Sequence, residues 1–165
     1  MVVGILIVMT IAGLPFFTAM MQSTQLDAAA RQLAADVRDA RALATQTGWQ
    51  YRLVGFNESA GPPQKNQYRL LGRSSPGGAW PAATAAPFQS ATQMAGTWVN
   101  FTQLYPNVNL NPAVTNPSFY VSFNAQGVAL EFNPTAPPWM TITPTSGAST
   151  ARQVTITAAG GVKIQ

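Results

Sequence analysis

The chain has 165 residues, a length that suits one domain with an appended helix. It has no cysteine and no histidine, only 8% charged residues, and a net charge of +4. Disulfides, thiol chemistry and histidine-based catalysis or metal binding are therefore excluded. The scattered cations form no basic arm for nucleic acid.

The first stretch, Met1 to Gly48, organises the rest. It opens on Met1-Val2-Val3-Gly4-Ile5-Leu6-Ile7-Val8-Met9 and stays apolar through Met21, and the first charge is Asp27. About 20 mainly apolar residues cross a bilayer core, so residues 1–25 read as a membrane-spanning half-helix. Its candidate membrane and assembly residues are Met1, Ile5, Leu6, Ile7, Val8, Ile11, Leu14, Pro15 and Phe16. A removable signal peptide would need a basic start and a small-residue cleavage site, and neither is visible. Pro15 lacks an N–H and crowds the preceding turn, so a kink or local melting is expected there.

From Leu26 the pattern turns amphipathic. Leu26, Ala30, Leu33, Val37, Ala40 and Ala44 recur by fours and threes, which makes one helical stripe. Leu26, Leu33, Val37 and Ala40 are the candidate helix–sheet packing residues. The interleaved Asp27, Arg31, Asp36, Arg38, Asp39 and Arg41 read as a solvated face, with Asp27 and Arg31 spaced as a helical ion pair. Gly48 supplies a stop. One helix from Met1 to Thr47 would be about 70 Å long at 1.5 Å per residue.

After Gly48 the period becomes two. Trp49 to Val54 and Gln67 to Gly72 read as strands, separated by a Gly61-Pro62-Pro63 loop. Ser74 to Gly96 is rich in Ala, Pro, Gly and Ser and reads as a long surface insertion. Thr97 to Gln103 reads as a strand and Leu104 to Pro117 as mostly loop. Ser118 to Phe132 is the clearest hairpin: Phe119, Val121 and Phe123 go out, Asn124 to Gly127 turn, and Val128, Leu130 and Phe132 return. Trp139 to Thr143 suggests a short strand. Arg152 to Thr157 and Val162 to Ile164 form a terminal hairpin. The layer arrangement expected is α+β: a long N-terminal helix packed on an antiparallel β-sheet, with the soluble domain over residues 26–165, its helical part over 26–47 and its sheet region over 49–165.

The inventory for chemistry is thin. Three of the five acids lie on the helix, leaving Glu58 and Glu131, which do not make a placed carboxylate pair. No calcium-loop or phosphate-loop spacing occurs. An enzyme, a metal site and a cofactor are not expected. Trp49, Tyr51, Trp98, Phe119 and Phe123 fall at strand spacing, which favours core packing over base stacking.

Three blocks carry a resemblance. Met1-Val2-Val3-Gly4-Ile5-Leu6-Ile7 with Pro15, the run Leu33-Ala34-Ala35-Asp36-Val37-Arg38-Asp39-Ala40-Arg41, and the terminal hairpin ending Gly160-Gly161-Val162-Lys163-Ile164 resemble type IV pilin-like proteins. Within these, the pattern Leu-Ala-x-Asp-hydrophobic-Arg-x-Ala-Arg is similar to that of H-type minor pseudopilins of type II secretion and T-type fimbrial minor pilins. The family's leading Gly and Phe-Thr-Leu-x-Glu do not precede Met1. Either upstream residues supply them or the glutamate is lacking, and a longer precursor is expected. The resemblance implies a single-pass protein of the bacterial inner membrane. Its C-terminal domain would lie in the periplasm or on a surface filament. Its implied partners are other pilin or pseudopilin subunits, the inner-membrane assembly platform and membrane lipid. Some T-type members capture DNA through a C-terminal Gly-Arg-x-Arg. Here Gly161-Val162-Lys163-Ile164 stands in its place, so DNA contact through Arg152 and Lys163 is a secondary expectation. A third is a membrane-anchored adhesin or ligand-binding domain using residues 74–117.

Overall fold

The computed structural model describes residues 2–57, 59–60, 65–82, 88–89, 92–112, 118–135, 137, 139–145 and 150–165, with side chains of the first helix from residue 18 onward and without those of residues 88 and 89. α1 runs through Pro15 as one α-helix, so the local melting expected there is not observed. The chain opens with α1 (Val2–Thr47). It ends where Gly48 adopts a left-handed φ of 73° and donates its N–H to the Ala44 carbonyl at 3.1 Å. That conformation is open to glycine without a Cβ penalty.

The rest folds as two antiparallel sheets. The larger holds β1 (Gln50–Phe56), β2 (Gln67–Arg73), β3 (Phe88–Gln89), β4 (Gln93–Ala95), β5 (Val99–Asn100), β7 (Ser118–Phe123) and β8 (Ala129–Asn133), with the path β3-β4-β2-β1-β7-β8 and β5 paired to β2. The smaller runs β11-β10-β9-β6, from Val162–Ile164, Arg152–Ile156, Met140–Pro144 and Val108–Asn111. A single sheet would satisfy one narrow stripe. Here Ala29 and Ala34 are buried beside Leu26, Ala30, Leu33, Val37, Ala40 and Ala44, so α1 buries a broader face than one line of residues. One core joins that face to Tyr51, Leu53, Tyr68, Phe119, Val121 and Phe123 of the larger sheet. The same core takes in Val108, Leu110, Met140, Ile142, Val154 and Ile156 of the smaller.

Alternation sets which face of each strand meets the helix. On β1, Tyr51 and Leu53 turn inward while Arg52 and Val54 face the other side. Gly55 stands opposite both Tyr68 and Phe119, and a Cβ there would lie 2.3 Å from the Phe119 ring and 2.8 Å from the Gln67 carbonyl. The missing side chain lets Phe119 lie over β1 and meet Trp139 edge-on, with ring centroids 5.7 Å apart.

Four local readings from the sequence need correction. Residues 97–103 do not make one strand: β5 is two residues long and gives way to the single turn α2 (Phe101–Leu104). Asn100 caps that turn by accepting the Gln103 N–H, and Phe101 is buried between Tyr68 and Tyr105 at centroid distances of 5.5 and 5.1 Å. Within 104–117, β6 buries Val108 and Leu110, an alternation masked by the intervening asparagines. In the stretch 74–96, β3 and β4 extend the larger sheet. On the return of the central hairpin, Val128 and Leu130 face solvent and Ala129 turns inward, because a bulge at Ser122/Phe123 slips the register.

Asn66 is the joint between the sheets. It is buried with a left-handed φ of 51°. Its Oδ1 accepts from the Leu110 N–H at 3.1 Å, its Nδ2 donates to Asn109 Oδ1 at 2.9 Å, and its carbonyl accepts from the Phe101 N–H at 2.9 Å. One residue at the start of β2 therefore ties α2 and β6 to the larger sheet.

Leu33 is fully buried in this shared core whereas Met20 is 62% exposed. Leu33→Ala is expected to lower unfolding stability by about 2–5 kcal/mol, and Met20→Ala by less than about 0.5 kcal/mol. Denaturant titration of the detergent-solubilised chain followed by near-UV circular dichroism checks both.

Candidate functional site

The residues of α1 that carry charge are not all a solvated face. Asp36 accepts from the Tyr68 hydroxyl on β2 and from Gln32 Nε2 at 3.0 Å. Arg38 Nη2 donates to the Val162 carbonyl at 3.3 Å, and Arg41 Nη1 to the Gly160 carbonyl at 3.3 Å. Asp27 Oδ1 accepts from Arg152 Nε at 2.5 Å, so its partner lies on β10 and not within the helix. The spacing on α1 explains the pattern. Positions 38 and 41 are three apart, so both guanidinium groups reach the same terminal hairpin.

The geometry around Arg41 is tight. A Cβ on Gly160 would lie 2.5 Å from the Gly127 carbonyl and 3.0 Å from Arg41 Nε, and one on Gly127 would lie 3.1 Å from Arg41 Nε. Both glycines have φ above 70°. The turns of the β7–β8 and β10–β11 hairpins therefore meet backbone to backbone beneath Arg41. There the Ala129 N–H donates to the Ala158 carbonyl at 3.2 Å, linking the two sheets.

The opposite face of the larger sheet has a small core of its own. Val54, Leu71 and Ala95 are buried with Trp80 and Tyr120 packed against them. The Arg52 and Arg73 guanidinium carbons lie 4.4 and 4.2 Å from the centroid of Trp80, and Arg52 also sits 4.5 Å from Tyr120. Arg52 is held by Ser122 Oγ at 2.7 Å and Glu131 at 2.5 Å. Desolvation lowers its pKa, against the opposing pull of the Glu131 carboxylate. Part of the segment after β2 is thus a cover for the sheet and not a free surface loop.

The sequence-derived site residues fall into three groups. Leu26, Leu33, Val37 and Ala40 lie buried in the common core. Met1, Ile5, Leu6, Ile7, Val8, Ile11, Leu14, Pro15 and Phe16 lie outside the described side chains, and among the described residues no helix is long and apolar enough to cross a membrane. Arg152 and Lys163 lie on neighbouring strands. Lys163 is exposed opposite Thr155, about 10 Å along the strand from Arg152. Arg152 is committed to Asp27 and to the Thr150 carbonyl at 3.2 Å. Among the described residues no cluster of three or more acidic, histidine or cysteine side chains could hold a metal ion.

An apolar groove of about 420 Å³ lies where α1 approaches α2, lined by Met20, Met21, Thr24, Gln25, Ala28, Leu104 and Tyr105. Leu104 and Tyr105 stand out as no surface in the sequence pattern. They follow the Asn100 cap by four and five residues, and that cap is the signal that could have found them.

No protein-family profile matches the chain, and no curated protein matches it. Among solved structures, the Pseudomonas aeruginosa type IV minor pilin FimU in space group P21 is similar. It aligns over 86% of this chain and 89% of that one, with a TM-score of 0.52 at 14% identity. A second crystal form of the same protein, in P65, aligns over 84% and 91% with a TM-score of 0.48, also at 14% identity. The chain has a pilin-like fold. The likeness extends over the long N-terminal helix and the antiparallel strands packed on it, and at this identity it is a likeness of architecture.

The buried phenol and the paired arginine each have a measurable consequence. Burial and the bond to Asp36 push the Tyr68 hydroxyl far above its ordinary pKa of 10.0. Below that pH both states keep the phenol protonated. Above it the unfolded chain ionises first, so Tyr68 should reduce stability by up to about 1.4 kcal/mol per pH unit. Tyr68→Phe should cost about 1–3 kcal/mol near neutral pH and flatten the alkaline fall, as read by thermal melts across the alkaline range. Because Arg152 is already paired, duplex DNA should bind at physiological salt no more tightly than about micromolar, and Arg152→Ala should leave that unchanged in a mobility-shift titration.

Proposed function

We propose that this chain is a minor subunit of a type IV pilus or a type II secretion pseudopilus, anchored in a membrane by residues 1–25 before it joins the filament. The observation that carries the reading is the division of α1. From Leu26 onward its apolar face is covered by two sheets, whereas Thr18 to Met21 are exposed and lead back into an uncharged apolar sequence. Such a half-helix needs lipid or neighbouring helices as its surroundings. The similar fold of FimU, itself a type IV minor pilin, supports the same reading. The mechanism is interaction and not chemistry: apolar side chains before Thr18 exchange lipid for the helices of neighbouring subunits. The partners proposed are other pilin-like subunits and the membrane platform that assembles them.

Paired variants test this division of labour. Ile7→Asp places a carboxylate in the apolar half, where a central acid costs about 2.5–3.5 kcal/mol on insertion scales. It should leave the domain's melting temperature unchanged but reduce membrane fractionation and abolish co-purification with partner pilins. Leu33→Asp buries an unpaired charge and should unfold the domain. If Ile7→Asp fractionates and co-assembles like wild type, the anchor-and-assemble reading is wrong.

A further inference from the structure

The groove between α1 and α2 is open and mostly apolar. Met20 and Met21 are each 62% exposed and Leu104 is 56% exposed, so three large apolar side chains share one open face. Two of the polar groups beside them are bonded within the protein. The Thr24 hydroxyl donates to the Met20 carbonyl at 2.9 Å, and Gln25 Oε1 accepts from Asn107 Nδ2 at 3.4 Å. Groups bonded in this way leave water at less cost than free ones.

Depth along the helix decides what covers this face. Asp27 is the first charged residue of the chain. Met20 and Met21 precede it by two turns, about 10 Å at 1.5 Å per residue. The polar layer on each side of a bilayer is about 5–8 Å thick. If residues 1–25 cross the membrane, Asp27 stands in the aqueous edge, and the two methionines stand at the boundary between headgroups and hydrocarbon. Leu104 lines the groove beside Met20 and Met21, whereas the Tyr105 ring stacks on Phe101, toward Asp36 and the aqueous side.

We propose that α2 is a second membrane contact: Leu104, with Met20 and Met21, rests on the bilayer surface and holds the folded domain against it while the subunit awaits assembly. This rests on the anchoring proposed above. It adds that the domain does not swing free on its helix. A single apolar span fixes the depth of the domain, and the α2 contact fixes its tilt.

The absence of cysteine from the chain makes a direct test simple. The full chain is reconstituted into phosphatidylcholine–phosphatidylglycerol vesicles as Leu104→Cys, labelled with an environment-sensitive nitrobenzoxadiazole fluorophore. Gln46→Cys, exposed at the far end of α1, is the reference. Lipid carrying a nitroxide near the headgroup end of its acyl chain should quench the label at 104 by about half or more, and the label at 46 hardly at all. The quenching should not depend on the protein-to-lipid ratio. In a second pair labelled at Gln103→Cys, adding Leu104→Glu should remove the quenching while the vesicles still float with bound protein. Flotation without quenching at 104 overturns this proposal and leaves the anchor standing. Failure to float overturns both. Protection that grows with protein density and comes without quenching makes the occupant a second copy and overturns the lipid contact.

Discussion

The buried face of α1 is the constraint on which the fold depends. It is built from small residues, with Ala29, Ala30, Ala34, Ala40 and Ala44 around Leu26, Leu33 and Val37. Small side chains let strands approach the helix axis closely, so two sheets fit where bulkier residues would admit one. The large side chains come from the strands instead: Tyr68, Phe119, Phe123, Trp139 and Met140 are almost fully buried. This complementarity ties each sheet to the helix more than to the other sheet. The hydrogen bonds that join one sheet to the other include those at Asn66, the Ala129–Ala158 backbone bond and the Trp139 indole on the Tyr120 carbonyl.

Those polar links explain why the helix carries charges toward the sheets. A helix packed only by alanines could slide along its axis at small cost, because its surface is nearly smooth. Asp36, Arg38 and Arg41 are directional, and each takes a partner at a different height: Tyr68, the Val162 carbonyl and the Gly160 carbonyl. The bonds to Arg38 and Arg41 are partly wet and individually weak. Together they set register, while apolar burial supplies the bulk of stability. Tyr68 differs, since its hydroxyl is buried and an unmet partner there would be costly.

The sequence made some of this legible and hid the rest for identifiable reasons. The long helix, β1, β2 and the two hairpins show through because strict alternation or a stripe leaves a clear period. The second half of the stripe, Leu26 to Ala44, is readable as a packing face, but nothing in it announces two sheets. Residues 97–111 mislead because Asn100 passes for one more strand position when it is a helix cap, and because asparagines hide β6. The charges of α1 look solvated because partners 32 to 125 residues away leave no local mark. Only Gly127 and Gly160 hint at the crowding under Arg41, and glycine in a turn has an ordinary local explanation.

The outer face of the larger sheet is covered from within the chain. A sheet with one face on a helix leaves its other face to be covered or solvated. Here Trp80 folds back between Arg52 and Arg73 and closes over Val54 and Leu71. A bare apolar face would offer neighbours a second sticky surface, competing with the helix for contacts. Capping it with an aromatic ring held by two cations removes that competition without a large hydrophobic lid. The apolar exposure that remains at Met20, Met21 and Leu104 then lies at the end of the domain where α1 leaves the sheets. That places the remaining apolar surface beside the uncharged apolar sequence that precedes Thr18.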